Sequence, residues 1–152
     1  MRVLLQRVAH AAVRVDGEIV GGIGPGVLLL AAIGKEDDQD SVRWMAQKVG
    51  QLRVFPDESG RMNRSLLDTG GGALVVSQFT LYGDCRKGNR PSFTDAAHPE
   101  RAEPLHRRFG EMLEEEGVKR VEGGLFGKSM QIEMAGDGPV TLWLESPGAA
   151  RR

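Results

Sequence analysis

Cysteine is almost absent. Cys85 stands alone among 152 residues, so no internal disulfide can form and a reducing compartment is expected. Long apolar runs are absent too. The longest, Val27 to Ile33, falls far short of the roughly 20 residues a bilayer-spanning helix needs, and Arg7 interrupts any signal-peptide core at the N-terminus. A cytoplasmic location and no membrane partner follow as expectations. Net charge is nearly nil, with 20 Lys and Arg against 21 Asp and Glu. That balance argues against wrapping long stretches of nucleic acid, DNA included, because such binding neutralises many phosphates. It leaves room for a local basic patch gripping the tip of an RNA. Repeats and low-complexity linkers are also missing, so residues 1–152 read as one domain. The chain is long enough to bury an ordinary core, with 40% apolar and 27% charged residues.

What is present is a strand-rich pattern. Val13 and Val15 alternate with Arg14 before Asp16-Gly17, a dipeptide suited to a tight hairpin turn, and Glu18 to Ile23 is expected to return antiparallel. Gly24-Pro25-Gly26 breaks the chain before Val27 to Ile33, an apolar run suited to a strand covered on both faces. Val42, Met45, Val49 and Leu52 step by three and four as one helix stripe. Arg53 to Phe55 predicts a short strand and Ala73 to Val76 a buried one. A polar loop, Gly83 to Pro91, follows. A second helix, with Pro99 near its start, buries Leu105, Phe109, Met112 and Leu113, and Pro104 implies either a distorted first turn or a start at Glu103. Two closing strands are expected, one through Met130, Ile132 and Met134 and one through Val140, Leu142 and Leu144. The fold class is α/β: an antiparallel-rich, barrel-like sheet covered by two main helices.

Several familiar motifs fail. Gly123 to Ser129 imitates a phosphate loop, but Glu122 stands where the first glycine belongs, and a strand pattern follows instead of a helix. Gly21, Gly22, Gly24 and Gly26 do not fit G-x-G-x-x-G. Ser77 lacks a G-x-S-x-G elbow, and only His10, His98 and His106 are available as bases. His98 and His106 read as solvated or capping residues of the second helix. Cys85, beside Arg86 and Lys87, has no evident histidine partner and reads as a tolerated surface thiol. No pair of His or Cys has metal-ligand spacing, so neither metal nor cofactor is expected.

Two segments remain. Ser77-Gln78-Phe79-Thr80 brings three hydrogen-bonding side chains to the end of a buried strand, a common place for functional residues, though it also reads as plain strand with Ser and Thr in solvent. Asp137-Gly138-Pro139-Val140 reads as a turn, and X-Pro bonds are cis in only about 5–6% of cases. The residues alone reach a soluble enzyme or binding domain.

Met1 to Val8, Phe55 with Gly60 and Met62-Asn63, Leu74 to Leu81, Lys87-Gly88, Arg90 to Phe93, Phe126-Gly127 with Met130, and Asp137 to Thr141, taken together, resemble the D-aminoacyl-tRNA deacylases. These segments run in order along essentially the whole chain. The resemblance implies a homodimer that hydrolyses the ester between a D-amino acid and the 3′ end of tRNA. It implies a cis Gly138-Pro139 bond inserted into the partner subunit's site, where the flanking carbonyl oxygens hold the α-amino group and exclude L side chains. Glycine would pass, including glycine mischarged on tRNA-Ala. Backbone N–H groups around Phe79 and Thr80 are the candidate oxyanion donors, within a catalytic segment Ser77, Gln78, Phe79 and Thr80, and the 2′-hydroxyl of the terminal adenosine assists. The Thr80 hydroxyl is a further candidate, as a nucleophile. Phe126 and Met130 match adenosine-pocket positions, Arg7 one beside the Gly-Pro pair, and Lys87 and Arg90 are placed to meet phosphates. One departure is plain: the family carries Asn where this chain has Gly136, so the turn must be braced otherwise. A non-catalytic RNA-end binder and an ordinary esterase using Ser77 or Cys85 are the competing readings.

Overall fold

The computed structural model describes residues 1–147. Strand β1 (Arg2–Val15) turns at Asp16 and Gly17, whose φ values are 51° and 83°, and returns antiparallel as β2 (Glu18–Ile23). Two consecutive positive φ angles match the twist of a two-residue hairpin, which is why Asp-Gly serves there. Strand β3 (Gly26–Ala32) also pairs antiparallel with β1, then crosses through α1 (Gln39–Gln51). Asp38 caps α1 by accepting from the Ser41 N–H at 2.9 Å, a reciprocal capping box. A small hairpin follows, β4 (Phe55–Pro56) with β5 (Met62–Arg64), then the single turn α2 (Leu66–Thr69). Strand β6 (Gly72–Ser77) lies parallel to β3 and runs into a 3₁₀ turn, Phe79–Tyr82. Helix α3 (Pro99–Glu115), β7 (Val121–Gly123) and β8 (Gln131–Glu145) complete the order.

The sheet runs β2-β1-β3-β6-β7, with β8 along the other side of β1. Its two ends curl towards each other until β2 and β7 nearly meet. A Cβ on Gly21 would stand 2.5 Å from the Gly123 carbonyl oxygen, so only glycine permits that approach. The result is the expected barrel-like sheet. Val8, Val13, Leu28, Leu74 and Val76 form one core cluster. Leu5, Leu29, Met45, Phe109 and Leu113 form the larger one, where α1 and α3 cover the sheet. Strand β3 feeds both clusters and is covered on both faces, as its apolar run predicts.

Three expectations need correction. The strand expected at Arg53 to Phe55 begins only at Phe55. Helix α3 starts at Pro99, as one reading has it, and not at Glu103, and carries Pro104 inside it. Pro104 and Glu100, whose carbonyl loses its i+4 donor, are both exposed, so water supplies what the missing N–H cannot. The two closing strands are one, β8, interrupted by a bulge. Gln6 pairs with Thr141 and Val8 with Gly136, so the single residue Arg7 faces residues 137–140.

Candidate functional site

Strand β6 delivers the chain rigidly to its end. Gln78 N–H still donates to Ala31 O at 2.8 Å, which anchors the segment to β3. The 3₁₀ turn then begins, and the first N–H groups of a helical turn have no partner within it. Among the described residues, no backbone hydrogen bond outside the turn uses the Phe79 or Thr80 N–H. The Gln78 side-chain amide donates to Thr80 Oγ1, which fixes both side chains. Phe79, 57% exposed, meets Phe93 edge-on with ring centroids 5.1 Å apart.

This junction opens onto a cavity of about 830 Å³. Ser77, Gln78 and Phe79 form one wall, Ala102 and His106 of α3 another, and Phe126 and Met130 a third. The structure therefore brings together five of the residues singled out in the sequence, from two distant segments. Thr80 adjoins them through its bond to Gln78. Arg7, Gly138 and Pro139 are not in this wall.

They lie instead at the bulge between β1 and β8, where the Gly138–Pro139 peptide bond is cis. Arg7 is only 8% exposed. Its Nε donates to Asp137 O at 3.1 Å and pairs with Asp137 Oδ2 at 3.1 Å, while Nη1 donates to Val54 O at 2.6 Å. Arg7 thus braces the turn on the side where Gly136 supplies no side chain. Lys87 and Arg90 are exposed and form no ion pair among the described residues, whereas Arg86 is held by Asp84 at 2.6 Å. Cys85 is exposed in the same loop.

The sequence places His106 as a solvated or capping residue, and the structure places it differently. It sits inside the cavity wall, its ring centroid 5.8 Å from that of Phe126. The signal was available: Ala102, His106, Phe109 and Leu113 are spaced by three and four, so His106 interrupts an apolar stripe. Burial pushes its pKa down to about 4, partly opposed by its hydrogen bond to the Val76 backbone. The unfolded chain therefore binds a proton at His106 that the folded chain refuses between pH 6.5 and about 4. Stability falls as pH drops through that window, by up to roughly 3 kcal/mol from this group. Denaturant unfolding at pH 7 and pH 4 should show a larger loss in the native protein than in His106→Gln; equal losses would reject a buried neutral imidazole.

Among the described residues, no helix is long and apolar enough to cross a membrane, and no three His, Cys, Asp or Glu cluster as metal ligands. With this geometry in place, residues 4–145 match the family described as D-Tyr-tRNA(Tyr) deacylase. The D-aminoacyl-tRNA deacylase of Thermomicrobium roseum is 58% identical over 146 residues, covering 96% of this chain and 94% of that one. Its counterpart in Chloroherpeton thalassium is 54% identical over 147 residues, 97% of each. Among solved structures, one described as c-Myc DNA unwinding element binding protein superposes with a TM-score of 0.92 at 41% identity, over 97% of this chain and all (100%) of that one. A probable eukaryotic D-amino acid tRNA deacylase, 19% identical, has a TM-score of 0.79 over 95% of this chain and 98% of that one, a likeness of fold.

Proposed function

Because the chain belongs to the D-Tyr-tRNA(Tyr) deacylase family, we propose that it hydrolyses the ester between a D-amino acid and the 3′ end of tRNA, releasing both. The observation that carries this reading is the junction after β6, where backbone donors of Phe79 and Thr80 adjoin a cavity walled by Phe126 and Met130. The terminal adenosine enters that cavity and stacks on Phe126, a contact type contributing about 1–3 kcal/mol per base. Water attacks the ester carbonyl, and its oxygen, becoming an oxyanion, turns to the Phe79 and Thr80 N–H groups. One such donor is worth roughly 2.7–4 kcal/mol in the transition state. The ester is already activated, so orientation and two donors suffice without a triad, and the adenosine 2′-hydroxyl assists the proton transfers. Thr80 acts through its backbone: its Oγ1 already accepts from Gln78, which lowers its value as a nucleophile. No cofactor takes part.

Chirality is judged by the Gly138–Pro139 pair of a second subunit. Support comes from the absence of these residues in the cavity wall of their own chain, and from β8, whose outer edge carries Trp143 (49% exposed) and Met134 (38%). An exposed edge strand of this kind calls for a cover, which a second copy supplies. The flanking carbonyl oxygens hold the α-amino group, the L side chain meets backbone, and the D side chain points outward. Glycine passes, so glycyl-tRNA mischarged on tRNA-Ala is a substrate too. Lys87 and Arg90 meet acceptor-stem phosphates. The activity belongs in the cytoplasm, with charged tRNA. A net charge of −1 offers no extended basic surface for duplex DNA.

The test is hydrolysis of D- and L-tyrosyl-tRNA side by side. The D form should lose its amino acid and the L form survive. Equal loss of both would remove the chiral filter, and retention of charged tRNA without product would leave an RNA-end binding protein. Hydrolysis of simple esters abolished by Ser77→Ala or Cys85→Ala would turn the reading to an ordinary esterase.

A further inference from the structure

Among the described residues, one buried side-chain nitrogen or oxygen has no hydrogen-bond partner: Nε2 of His106. The other ring nitrogen is committed. Since Nε2 has no partner, the hydrogen bond of His106 to the Val76 backbone, at the end of the strand that delivers Ser77, falls to Nδ1–H. Burial keeps the imidazole neutral, so with the proton on Nδ1 the second nitrogen carries a bare lone pair and can only accept. An acceptor left unpaired in an apolar setting is a cost to the fold, repaid when a donor arrives. His106 lines the cavity beside Ala102, Phe126 and Met130, none of which offers a side-chain donor. Its neighbour Phe126 stands on the segment between β7 and β8, outside both strands, with its ring centroid 5.8 Å from that of His106.

We infer that His106 is a specificity-determining residue of this cavity: its Nε2 accepts a hydrogen bond from the exocyclic amine of the base, so the site prefers adenine to purines without that amine. The inference rests on the reading that the cavity takes the terminal adenosine. Hypoxanthine would set an oxygen lone pair against the Nε2 lone pair, and unsubstituted purine would leave Nε2 unpaired. Stacking on Phe126 is open to all three bases, so it does not by itself single out adenine.

The test uses 3′-amino-3′-deoxynucleosides carrying D-tyrosine through an amide, which the protein cannot hydrolyse as an ester. Calorimetric binding of the adenine, purine and hypoxanthine versions is compared, with hydrolysis of D-tyrosyl-tRNA measured beside it. The native protein should bind the adenine version roughly tenfold or more tightly than either other. His106→Phe, which keeps the volume and removes the acceptor, should bind all three within about twofold of one another, and His106→Gln, with a carbonyl acceptor, should recover part of the preference. Should His106→Phe fail to fold, the native series and His106→Gln decide. Equal binding of the three bases by the native protein overturns the inference, as does a preference undiminished in His106→Phe. Hydrolysis without base preference rejects the role of His106 alone; base preference through His106 without hydrolysis rejects the deacylase reading alone.

Discussion

Gly138→Ala should lower hydrolysis of D-tyrosyl-tRNA by about a hundredfold in kcat/KM, the penalty expected when a positioning group moves by about an ångström. The cause is local and steric. Gly138 has a φ of 123°, a backbone region that L side chains rarely adopt. A Cβ there would stand 2.9 Å from Val140 Cγ2, 3.0 Å from the Val140 nitrogen and 3.1 Å from Arg7 Nη2. Val140 leads directly into Thr141, where the β1–β8 ladder resumes, and Arg7 braces Asp137, so neither neighbour can yield without shifting the bulge itself. The carbonyl oxygens proposed to hold the α-amino group would then point elsewhere. The fold should survive, because Gly138 is exposed and outside both core clusters. Local strain of about 1–3 kcal/mol corresponds to a fall in Tm of a few degrees. The measurement is kcat/KM for D- and L-tyrosyl-tRNA alongside thermal unfolding. A stable variant with native activity and native rejection of the L form would remove Gly138 from the chiral site.

Much of the frame that positions this site was legible in the residues. Asp16-Gly17 gives the hairpin, and the stripe of Val42, Met45 and Val49 gives α1, because local chemistry decides each without help from the rest of the chain. Strands β5 and β7 and the single turn α2 were missed for the complementary reason. Met62–Arg64 is wholly exposed and Val121–Gly123 very short, so only tertiary pairing makes them strands. Gly138-Pro139 reads locally as a break; the ladder resumes on either side of Arg7, which no local pattern announces. The convergence of Ser77 to Phe79 with Phe126 and Met130 came from resemblance, since roughly half a hundred residues separate the segments and only the curled sheet joins them. His106 was misread because a histidine is polar, although its place on the α3 stripe put it inward.

Asp37→Ala should cost about 3–5 kcal/mol, the range for removing one partner of a buried ion pair. Asp37 is 8% exposed and Met1 only 2%. The Met1 ammonium donates to Asp37 Oδ1 and, at 2.7 Å, to Ser146 Oγ. Oδ2 accepts from the Gly34 N–H at 2.6 Å and from the Tyr82 hydroxyl at 3.2 Å. One carboxylate thus ties the start of β1, the β3–α1 connection and the 3₁₀ turn that carries Phe79 and Thr80. Its loss leaves the ammonium without its counter-charge, and the Gly34 N–H and the Tyr82 hydroxyl without this acceptor. For a chain of this length the fall in Tm is roughly ten degrees, at about 2–4 °C per kcal/mol. Deacylation should fall with it even below the melting transition, because Tyr82 no longer anchors the turn. The pH dependence separates lost charge pairing from lost packing. Burial lowers the pKa of the Met1 ammonium from 8.0, against the opposing pull of Asp37. A lowered pKa means that the unfolded chain holds the proton more readily, so stability from this group rises with pH until both states are deprotonated above about 8. Without Asp37 the lowering deepens and the rise steepens. The deficit of Asp37→Ala should therefore be larger at pH 7 than at pH 9, measured by denaturant unfolding of both proteins, whereas a deficit independent of pH would mean that the carboxylate acts through packing alone.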